Sequence, residues 1–296
     1  MQLVVLAAGM GSRFGGLKQM EPMDDAGNFL LDYSAYDAKR AGFDSVVFII
    51  KKDFYEDFKN TIGKRLEKII KVDYAFQDLS DLPNGFTCPK DRVKPWGTAH
   101  AIYAARDLIK DDFIIINGDD FYGKETYEIA FNFLKNYKGK DYANVTFEAI
   151  NTITKNGSVK RGVAFKDNNG TLTKLVECKI SDVNGTLECE PLEGGDKFNI
   201  EPTQDVSMNL FIFRKNLIDH LISKFPLWLE KNVQNITAEF LIPSVVDELI
   251  HENKVEVKIL KTPSVWFGVT YKEDKPAVVN ALKELTKKGI YKEGLY

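Results

Sequence analysis

Residues 4–19 read VVLAAGMGSRFGGLKQ, and this stretch decides the fold. It begins with five apolar residues, as a short buried strand does, and continues with a segment that contains four glycines, one arginine and one lysine. Glycines directly after a strand let the backbone approach a ligand closely, and exposed N–H groups attract anions. The stretch therefore predicts a strand that leads into a phosphate-binding loop.

The composition is that of a globular enzyme: 296 residues, of which 44% are hydrophobic and 28% charged. A net charge of −3 offers no basic surface for nucleic acid. No apolar run reaches the roughly 20 residues of a membrane span, and no basic leader precedes the first apolar segment. The three cysteines and three histidines are scattered and form no disulfide or metal pattern. We therefore expect a cytoplasmic protein with neither nucleic acid nor membrane as a partner.

In the first half of the chain, short apolar segments alternate with helical patterns. Strands are predicted at residues 3–8, 46–50, 72–76 and 113–117, and helices at residues 33–41, 54–70 and 98–109. This alternation predicts βαβ units and a mostly parallel sheet. The run FIII at residues 113–116 is apolar without alternation, as expected for a central strand that is covered on both faces.

The second half has a different pattern, in which Asn-Gly turns at residues 169–170 and 184–185 indicate hairpins. Its predicted strands are residues 144–149, 162–166, 172–176, 206–213 and 255–259, and its predicted helices are residues 215–224, 237–252 and 274–288. Residues 182–204 are polar and contain glycines, which predicts an exposed excursion.

Together these patterns predict an α/β, Rossmann-like fold. We expect a mixed, mostly parallel sheet flanked by helices, with an antiparallel strand addition and C-terminal helices. Residues 1–230 would form the α/β core, and residues 231–296 a C-terminal helical extension packed on that core. The apolar stripes of the C-terminal helices would suit the core or a second subunit equally, so a homo-oligomer remains open.

Two common phosphate-binding loops do not fit residues 4–19. The dinucleotide fingerprint G-x-G-x-x-G begins well at Gly9 and Gly11, but Phe14 stands where the third glycine is needed. The P-loop spacing is met by Gly11 and Gly16, but Leu17 stands where the lysine is needed. What remains is the string L-A-A-G-x-G-S-R, followed five residues later by Lys18.

This string resembles the signature of the nucleotidyltransferase family typified by sugar-1-phosphate nucleotidylyltransferases. The resemblance implies that the loop wraps the triphosphate of a nucleotide, and that Arg13 and Lys18 are catalytic cations that hold the phosphates for displacement. The implied nucleotide-binding residues of this segment are Leu6, Ala8, Gly9, Gly11 and Ser12. The alternative is a glycine-rich turn whose cations are merely solvated.

Asn117-Gly118-Asp119-Asp120 resembles the metal-binding element of the same family. It follows the most apolar predicted strand, and open α/β sheets bind ligands at the carboxyl ends of their strands. The resemblance implies that Asp119 is catalytic as a ligand of Mg²⁺. Adjacent aspartates also occur in solvated turns, which is the alternative. Many relatives carry W-x-D as a second metal ligand, but here Gly268 stands in place of that aspartate.

Further resemblances imply contacts to the base and the sugar. Gln77, Gly97 and Thr98 match base-contacting positions, although Gly97-Thr98 also suits a plain helix cap. Glu177 and Lys179 resemble a sugar-site pair interrupted by Cys178, although a surface charge pair is an equal alternative. Asn209 lies in a run that resembles the strand lining the sugar pocket, and most of that run must be core.

The implied reaction joins a nucleoside triphosphate to a sugar 1-phosphate, with Mg²⁺, and releases pyrophosphate. A phosphate monoester is largely a dianion at neutral pH, since its second pKa is about 6, and it needs no general base. Three alternatives are a non-sugar acceptor such as phosphocholine or a methylerythritol phosphate, a catalytically silent regulatory subunit that binds nucleotide sugar, and a nicotinamide dehydrogenase. Phe14 argues against the last.

Overall fold

The computed structural model describes residues 1–8, 22–269 and 271–296. Its strands are β1 (Gln2–Leu6), β2 (Ser45–Ile50), β3 (Lys71–Phe76), β4 (Phe113–Asn117), β5 (Asp120–Phe121), β6 (Tyr142–Glu148), β7 (Val159–Lys166), β8 (Leu172–Val183), β9 (Thr186–Pro191), β10 (Phe198–Ile200), β11 (Asp205–Phe213), β12 (Val257–Lys261) and β13 (Phe267–Gly268). Its α-helices are α1 (Leu30–Ala41), α2 (Tyr55–Phe58), α3 (Lys64–Leu66), α4 (Thr98–Ala104), α5 (Lys124–Asn136), α6 (Leu217–Asn232), α7 (Ile242–His251) and α8 (Lys275–Lys287).

The large sheet joins a parallel half to an antiparallel half. Its strand order is β10-β9-β8-β7-β11-β4-β1-β2-β3, and β6 pairs with both β11 and β12 beside this path. Strands β3, β2, β1 and β4 are parallel to one another, and β12 is parallel to β6. The pairs from β4 through β11, β7, β8 and β9 to β10 are antiparallel. This arrangement confirms the predicted α/β fold with an antiparallel addition.

Strand β4 is central because each of its faces packs against helices. Ile114 and Ile116 belong to the core cluster that also contains side chains of α1 and α5. Phe113 and Ile115 belong to the cluster with α4, α6 and α7. All four side chains are fully buried, which explains why the strand shows no polar alternation. Within the described residues, no helix combines the length and apolar character that crossing a membrane requires.

Several helices differ from the sequence prediction. The segment predicted as one helix at residues 54–70 is a series of short turns, namely 3₁₀ turn Lys52–Phe54, α2, π-helical turn Lys59–Gly63 and α3. Helix α4 ends at Ala104 and not at residue 109. Helix α5 was not predicted, because it buries only a thin stripe that includes Tyr127, Ala130 and Leu134.

Residues 182–204 continue the sheet where an exposed excursion was predicted. The Asn184-Gly185 turn has two left-handed residues, with φ of 54° and 86°, and it joins β8 to β9 in the predicted hairpin. Leu187 and Cys189 on β9 point into the core cluster, as does Ile180 on β8. The polar residues between them face outward, which gave this segment its loop-like composition.

Residues 231–296 contribute strands as well as helices. Strand β12 pairs with β6, and β13 pairs with β5. Near the C-terminus, the Tyr291 hydroxyl donates to Asp37 Oδ2 at 2.6 Å, and the Tyr296 hydroxyl donates to Asp32 Oδ1 at 2.8 Å. Both aspartates are fully buried on α1. Burial raises the pKa of Asp37 to about 6, while the bond from Tyr291 and the charge of Arg40 oppose that rise.

Replacing Tyr291 with phenylalanine should lower the free energy of unfolding by about 1–2 kcal/mol, because it leaves the buried Asp37 carboxylate one donor short. Urea denaturation of the wild type and Tyr291→Phe would measure this difference. Tyr36→Phe is the matched control, since the half-buried Tyr36 packs its ring on Tyr291 but its hydroxyl bonds none of the described residues. Equal losses in the two variants would contradict the assigned role.

Candidate active site

The carboxyl ends of the parallel strands bring several predicted site residues to one edge of the sheet. Leu6 lies opposite Ile49 on β2 and Asn117 on β4. The Leu6 carbonyl accepts from Gly118 N at 3.0 Å, which ties the end of β1 to the turn after β4. Gln77 extends β3 with a bond from its N–H to the Ile50 carbonyl. The buried Ala8 follows β1 at this edge.

The remaining loop candidates, Gly9, Gly11, Ser12, Arg13 and Lys18, lie outside the described residues. Their roles therefore stay predictions. The described residues stop at Ala8, which follows β1 at the edge that also carries Asp119, and they resume at Pro22 before α1.

Gly118 and Asp119 form the turn between β4 and β5, and Asp120 begins β5. Asp119 is half-buried, and Asp120 is buried with 7% exposure. Asn117 Nδ2 donates to Asp120 Oδ2 at 2.8 Å. The Tyr122 hydroxyl accepts from Asn117 N and donates to the Met208 carbonyl of β11, at 3.0 and 2.9 Å. These bonds hold the turn rigidly at the end of the central strand.

Asn209 connects the antiparallel strands to this turn. Its Nδ2 donates to Asn117 Oδ1 at 2.8 Å. The residue lies where β11 shifts register between Ser207 and Phe211, and its φ of 62° is in the left-handed region that asparagine tolerates. The side-chain oxygen of Asn209 remains as an acceptor at the edge, so the predicted sugar contact is compatible with its structural bond.

The Gln77 side chain is oriented by two acceptors. Its Nε2 donates to the Gly97 carbonyl at 2.9 Å and contacts His100 Nδ1 at 3.2 Å. His100 Nε2 is 3.0 Å from the Asp81 carbonyl, which can only accept, so Nε2 carries the proton and Nδ1 accepts. Burial lowers the pKa of His100, which favours this neutral form. Gln77 Oε1 is then the one hydrogen-bonding atom of its amide with no partner among the described residues.

Gly97 and Thr98 have structural roles in addition to their place at the start of helix α4. Gly97 has a φ of 109°, and a Cβ there would lie 2.4 Å from the Phe240 carbonyl oxygen, so glycine is required. Thr98 Oγ1 accepts from Ile242 N at 3.0 Å, which satisfies a free N–H of α7 instead of one in its own helix. Their predicted contacts to the base stay predictions.

Glu177 and Lys179 lie on the same face of β8, because strand residues alternate and Cys178 points into the core. Glu177 is paired with Gly162 on β7, and its Oε1 is 3.1 Å from the point where a Cβ of residue 162 would stand. Burial raises the pKa of Glu177, the charge of Glu193 raises it further, and Arg161 opposes them. Lys179 is exposed. The intervening cysteine therefore does not separate this acid and lysine in space.

Gly268 is the residue opposite Asp120 in the β5–β13 pair. A Cβ there would lie 2.3 Å from the Trp266 ring and 3.0 Å from Asp120 Oδ1. Position 268 therefore lacks both a carboxylate and the room for one. Across the described segments, no group of three or more acidic, histidine or cysteine side chains could hold a metal ion. The Asp119-Asp120 turn nevertheless fits Mg²⁺, which binds one or two carboxylates and completes its shell with phosphate and water.

Arg161 is a buried cation near this turn that the sequence analysis missed. Its guanidinium lies 4.3 Å from the centre of the Trp266 ring and donates to the Lys160 carbonyl at 2.8 Å. Burial lowers the pKa of Arg161 to about 10, and the charge of Asp120 opposes that change, so the side chain stays protonated at neutral pH. The sequence did not indicate this buried residue, because an arginine between Lys160 and Gly162 is ordinarily a solvent-exposed charge.

A site of this kind, at the carboxyl edge of a mixed sheet, is shared by a known class of enzymes. The chain matches the Nucleotidyl transferase family over residues 2–267, and it belongs to that family. The bifunctional protein GlmU of Staphylococcus epidermidis is 24% identical over 258 residues, which cover 86% of this chain and 46% of that protein. The chain thus spans about half the length of the curated relatives it matches.

Three solved structures have the same fold. The inositol-1-phosphate CTP transferase of T. maritima has a TM-score of 0.63 at 13% identity and covers 97% of this chain and 96% of its own. A putative glucose-1-phosphate thymidylyltransferase of Bacillus anthracis has a TM-score of 0.64 at 15% identity, with coverage of 95% and 94%. A UDP-glucose pyrophosphorylase complexed with UDP-glucose has a TM-score of 0.57 at 16% identity, with coverage of 96% and 98%.

Gly268→Ala should lower the free energy of unfolding by about 1–3 kcal/mol, because the added methyl group overlaps the Trp266 ring. The loss should shrink below about 1 kcal/mol when the same change is made in a Trp266→Leu background, where the ring is absent. Urea denaturation of the four proteins of this cycle measures the coupling. Additive losses would show that Trp266 does not occupy the space at position 268.

The pH dependence of stability should report the burial of His100. Its folded pKa lies below the ordinary 6.5, so just below pH 6.5 the unfolded chain binds more protons. The stability that neutral His100 contributes is therefore present above pH 6.5 and is lost as the pH falls through the folded pKa.

His100→Asn should consequently lose less stability than the wild type as the pH falls below 6.5, even though it is less stable at neutral pH. Urea denaturation at half-unit pH steps measures the two slopes. His251→Asn is the control for the loss of a histidine, since that side chain is 74% exposed. Parallel curves for wild type and His100→Asn would contradict the neutral assignment.

Proposed function

We propose that the protein transfers a nucleoside monophosphate from a nucleoside triphosphate to a sugar 1-phosphate, giving a nucleotide sugar and pyrophosphate. The observation that carries the proposal is the meeting of two elements at one sheet edge. The bond from Gly118 N to the Leu6 carbonyl joins the end of β1 to the turn that carries Asp119. Residues 9–18, with the predicted phosphate contacts, follow β1 closely in the sequence. Membership of the nucleotidyl transferase family supports the same assignment.

The reaction needs charge neutralisation and alignment more than proton transfer. An oxygen of the acceptor phosphate attacks the α-phosphorus, the bond from that phosphorus to the bridging oxygen breaks, and pyrophosphate leaves with the electron pair. Backbone N–H groups of Gly9 and Gly11 would hold the triphosphate, and the planar donor fork of Arg13 suits the departing pyrophosphate. Lys18 would lie between the α-phosphate and the acceptor as charge moves between them.

Asp119 would hold Mg²⁺, which neutralises phosphate charge when bound. The bonds of Asn117 and Tyr122 position the turn that carries this aspartate. The base would lie near Gln77, whose Oε1 accepts a hydrogen bond, and near Gly97 and Thr98. Glu177, Lys179 and Asn209 would line the acceptor side.

A second candidate keeps the chemistry and changes the acceptor. The solved inositol-1-phosphate CTP transferase from T. maritima covers nearly the whole of this chain. Inositol phosphate therefore belongs in the substrate panel beside phosphocholine. A third candidate, a silent regulatory subunit that binds nucleotide sugar, is favoured by the missing carboxylate at Gly268.

The testing experiment measures pyrophosphate release with Mg²⁺ for four nucleoside triphosphates against a panel of sugar 1-phosphates, inositol 1-phosphate and phosphocholine. Release with one triphosphate and one sugar 1-phosphate is the expected result. Release only with a non-sugar acceptor would transfer the assignment to the second candidate. Nucleotide-sugar binding without turnover would favour the regulatory candidate.

Lys18→Ala should lower kcat/KM by about 30- to 1000-fold, the loss of about 2–4 kcal/mol typical of removing one transition-state contact. Steady-state pyrophosphate release with the best substrate pair measures it. Lys71→Ala is the matched control, because Lys71 is 71% exposed and begins β3 at the opposite edge of the sheet. Similar activity in Lys18→Ala and Lys71→Ala would remove Lys18 from the mechanism.

A further inference from the structure

Arg92 joins the segment that carries Gly97 and Thr98 to a part of the chain that is distant in sequence. Its side chain is buried, with 4% exposure, and donates to three backbone carbonyls. Nη1 bonds the Asn235 carbonyl at 2.9 Å, and Nη2 bonds those of Ala238 and Pro95 at 2.6 and 3.1 Å. One guanidinium thus joins residues 95–98 to residues 233–241, which connect α6 to α7.

The two backbones also bond each other directly. Phe240 N donates to the Trp96 carbonyl at 2.6 Å, and Ala99 N donates to the Phe240 carbonyl at 3.0 Å. These reciprocal bonds lie on either side of Gly97, where a Cβ would meet Phe240. The path of the backbone at Gly97 is therefore set by residues more than a hundred positions away in sequence.

An aromatic cluster stabilises the same junction. The Arg92 guanidinium carbon is 3.4 Å from the centre of the Trp96 ring, and the Trp96 Nε1 donates to the Leu79 carbonyl at 3.0 Å. Trp228 on α6 contacts both Trp96 and Phe240, with ring centres 6.1 and 5.6 Å apart. Arg92 thus packs on one side of this aromatic cluster, which lies behind the sheet edge that carries Gln77.

We propose that Arg92 is a positioning residue that sets the base selectivity of the enzyme through the orientation of the Gln77 amide. The inference rests on the proposed function. Arg92 holds the Pro95 carbonyl, and two residues later the Gly97 carbonyl accepts from Gln77 Nε2. With that bond and the one to His100 in place, Gln77 offers only its oxygen and selects a base edge that donates a hydrogen bond.

Loss of the Arg92 bonds would release residues 95–98 and with them the Gly97 carbonyl. The Gln77 amide could then rotate and present either its oxygen or its NH₂ group to a base. A base edge that accepts hydrogen bonds could then pair with the NH₂ group instead of facing the Gln77 oxygen, so the penalty against the wrong base would fall.

The test compares wild type, Arg92→Met, Arg92→Lys and Arg214→Met. For each, kcat and KM are measured for the preferred triphosphate and for the best disfavoured one, together with dissociation constants for all four. Arg214 is the matched control because its half-buried side chain also packs on aromatic rings and donates to the Tyr137 carbonyl, but it bonds Asp112 at the opposite edge of the sheet.

Arg92→Met should lower the ratio of kcat/KM between preferred and disfavoured triphosphates by about tenfold, the discrimination one hydrogen bond provides. The loss should appear as a higher KM for the preferred triphosphate, and the KM for the acceptor should stay unchanged. Arg92→Lys, which keeps the charge but not the three bonds, should show a smaller loss of the same kind and covers the case in which Arg92→Met does not fold. Arg214→Met should keep the wild-type ratio.

Equal losses for both triphosphates in either Arg92 variant would overturn the inference and make Arg92 a general stabiliser. If the wild type binds triphosphates without turnover, the proposed function fails, and the ratio of dissociation constants decides the inference in the same way. Wild type that binds no triphosphate would overturn both.

Discussion

The amide of Asn117 is the interaction on which the described part of the site depends. Asn117 ends the central strand β4, and both ends of its amide are hydrogen-bonded: Nδ2 donates to Asp120 and Oδ1 accepts from Asn209. An asparagine can bridge a carboxylate and a second amide because it offers a donor and an acceptor on one rigid plane. Aspartate at this position would face Asp120 with a like charge, and leucine would remove one hydrogen bond from each partner. The bridge joins the parallel half of the sheet to the antiparallel half at their shared edge.

The rest of the edge is assembled from segments that are distant in sequence. Gln77 is held by Gly97 and His100, and Gly97 is in turn held against Phe240. The α6–α7 connection therefore supports the backbone beside Gln77, although it is distant from that residue in sequence. In this arrangement an aromatic cluster that includes Trp228 of α6 supports the backbone that orients a hydrogen-bonding amide, the predicted contact to the base.

The sequence predicted those features whose physical cause is local. The uniform apolar run of β4 indicated a central strand, and Asn184-Gly185 predicted a hairpin from the φ angles that its residues must adopt. The strand extension after this turn was missed because its alternation is short and its outer face is polar.

The sequence also could not show why residues 97 and 268 must be glycines. Each glycine is required by one contact, with Phe240 or Trp266, that only tertiary packing creates. The burial of Arg92 and Arg161 could not be predicted, because an arginine is expected at the surface unless its carbonyl partners are known.

The distribution of charge around Asp120 follows from the same packing. A carboxylate at position 268 would add a second negative charge beside Asp120, and such a pair is stable only when a cation lies between the two. Here Trp266 fills that space, and the positive charge of Arg161 stacks behind its ring. The coulombic attraction of Arg161 supports the charge of the buried Asp120 directly, and the apolar ring between them excludes water and so keeps that attraction strong. Asn117 and Tyr122 also hold Asp120, so the turn beside it presents Asp119, the predicted metal ligand, from a fixed position.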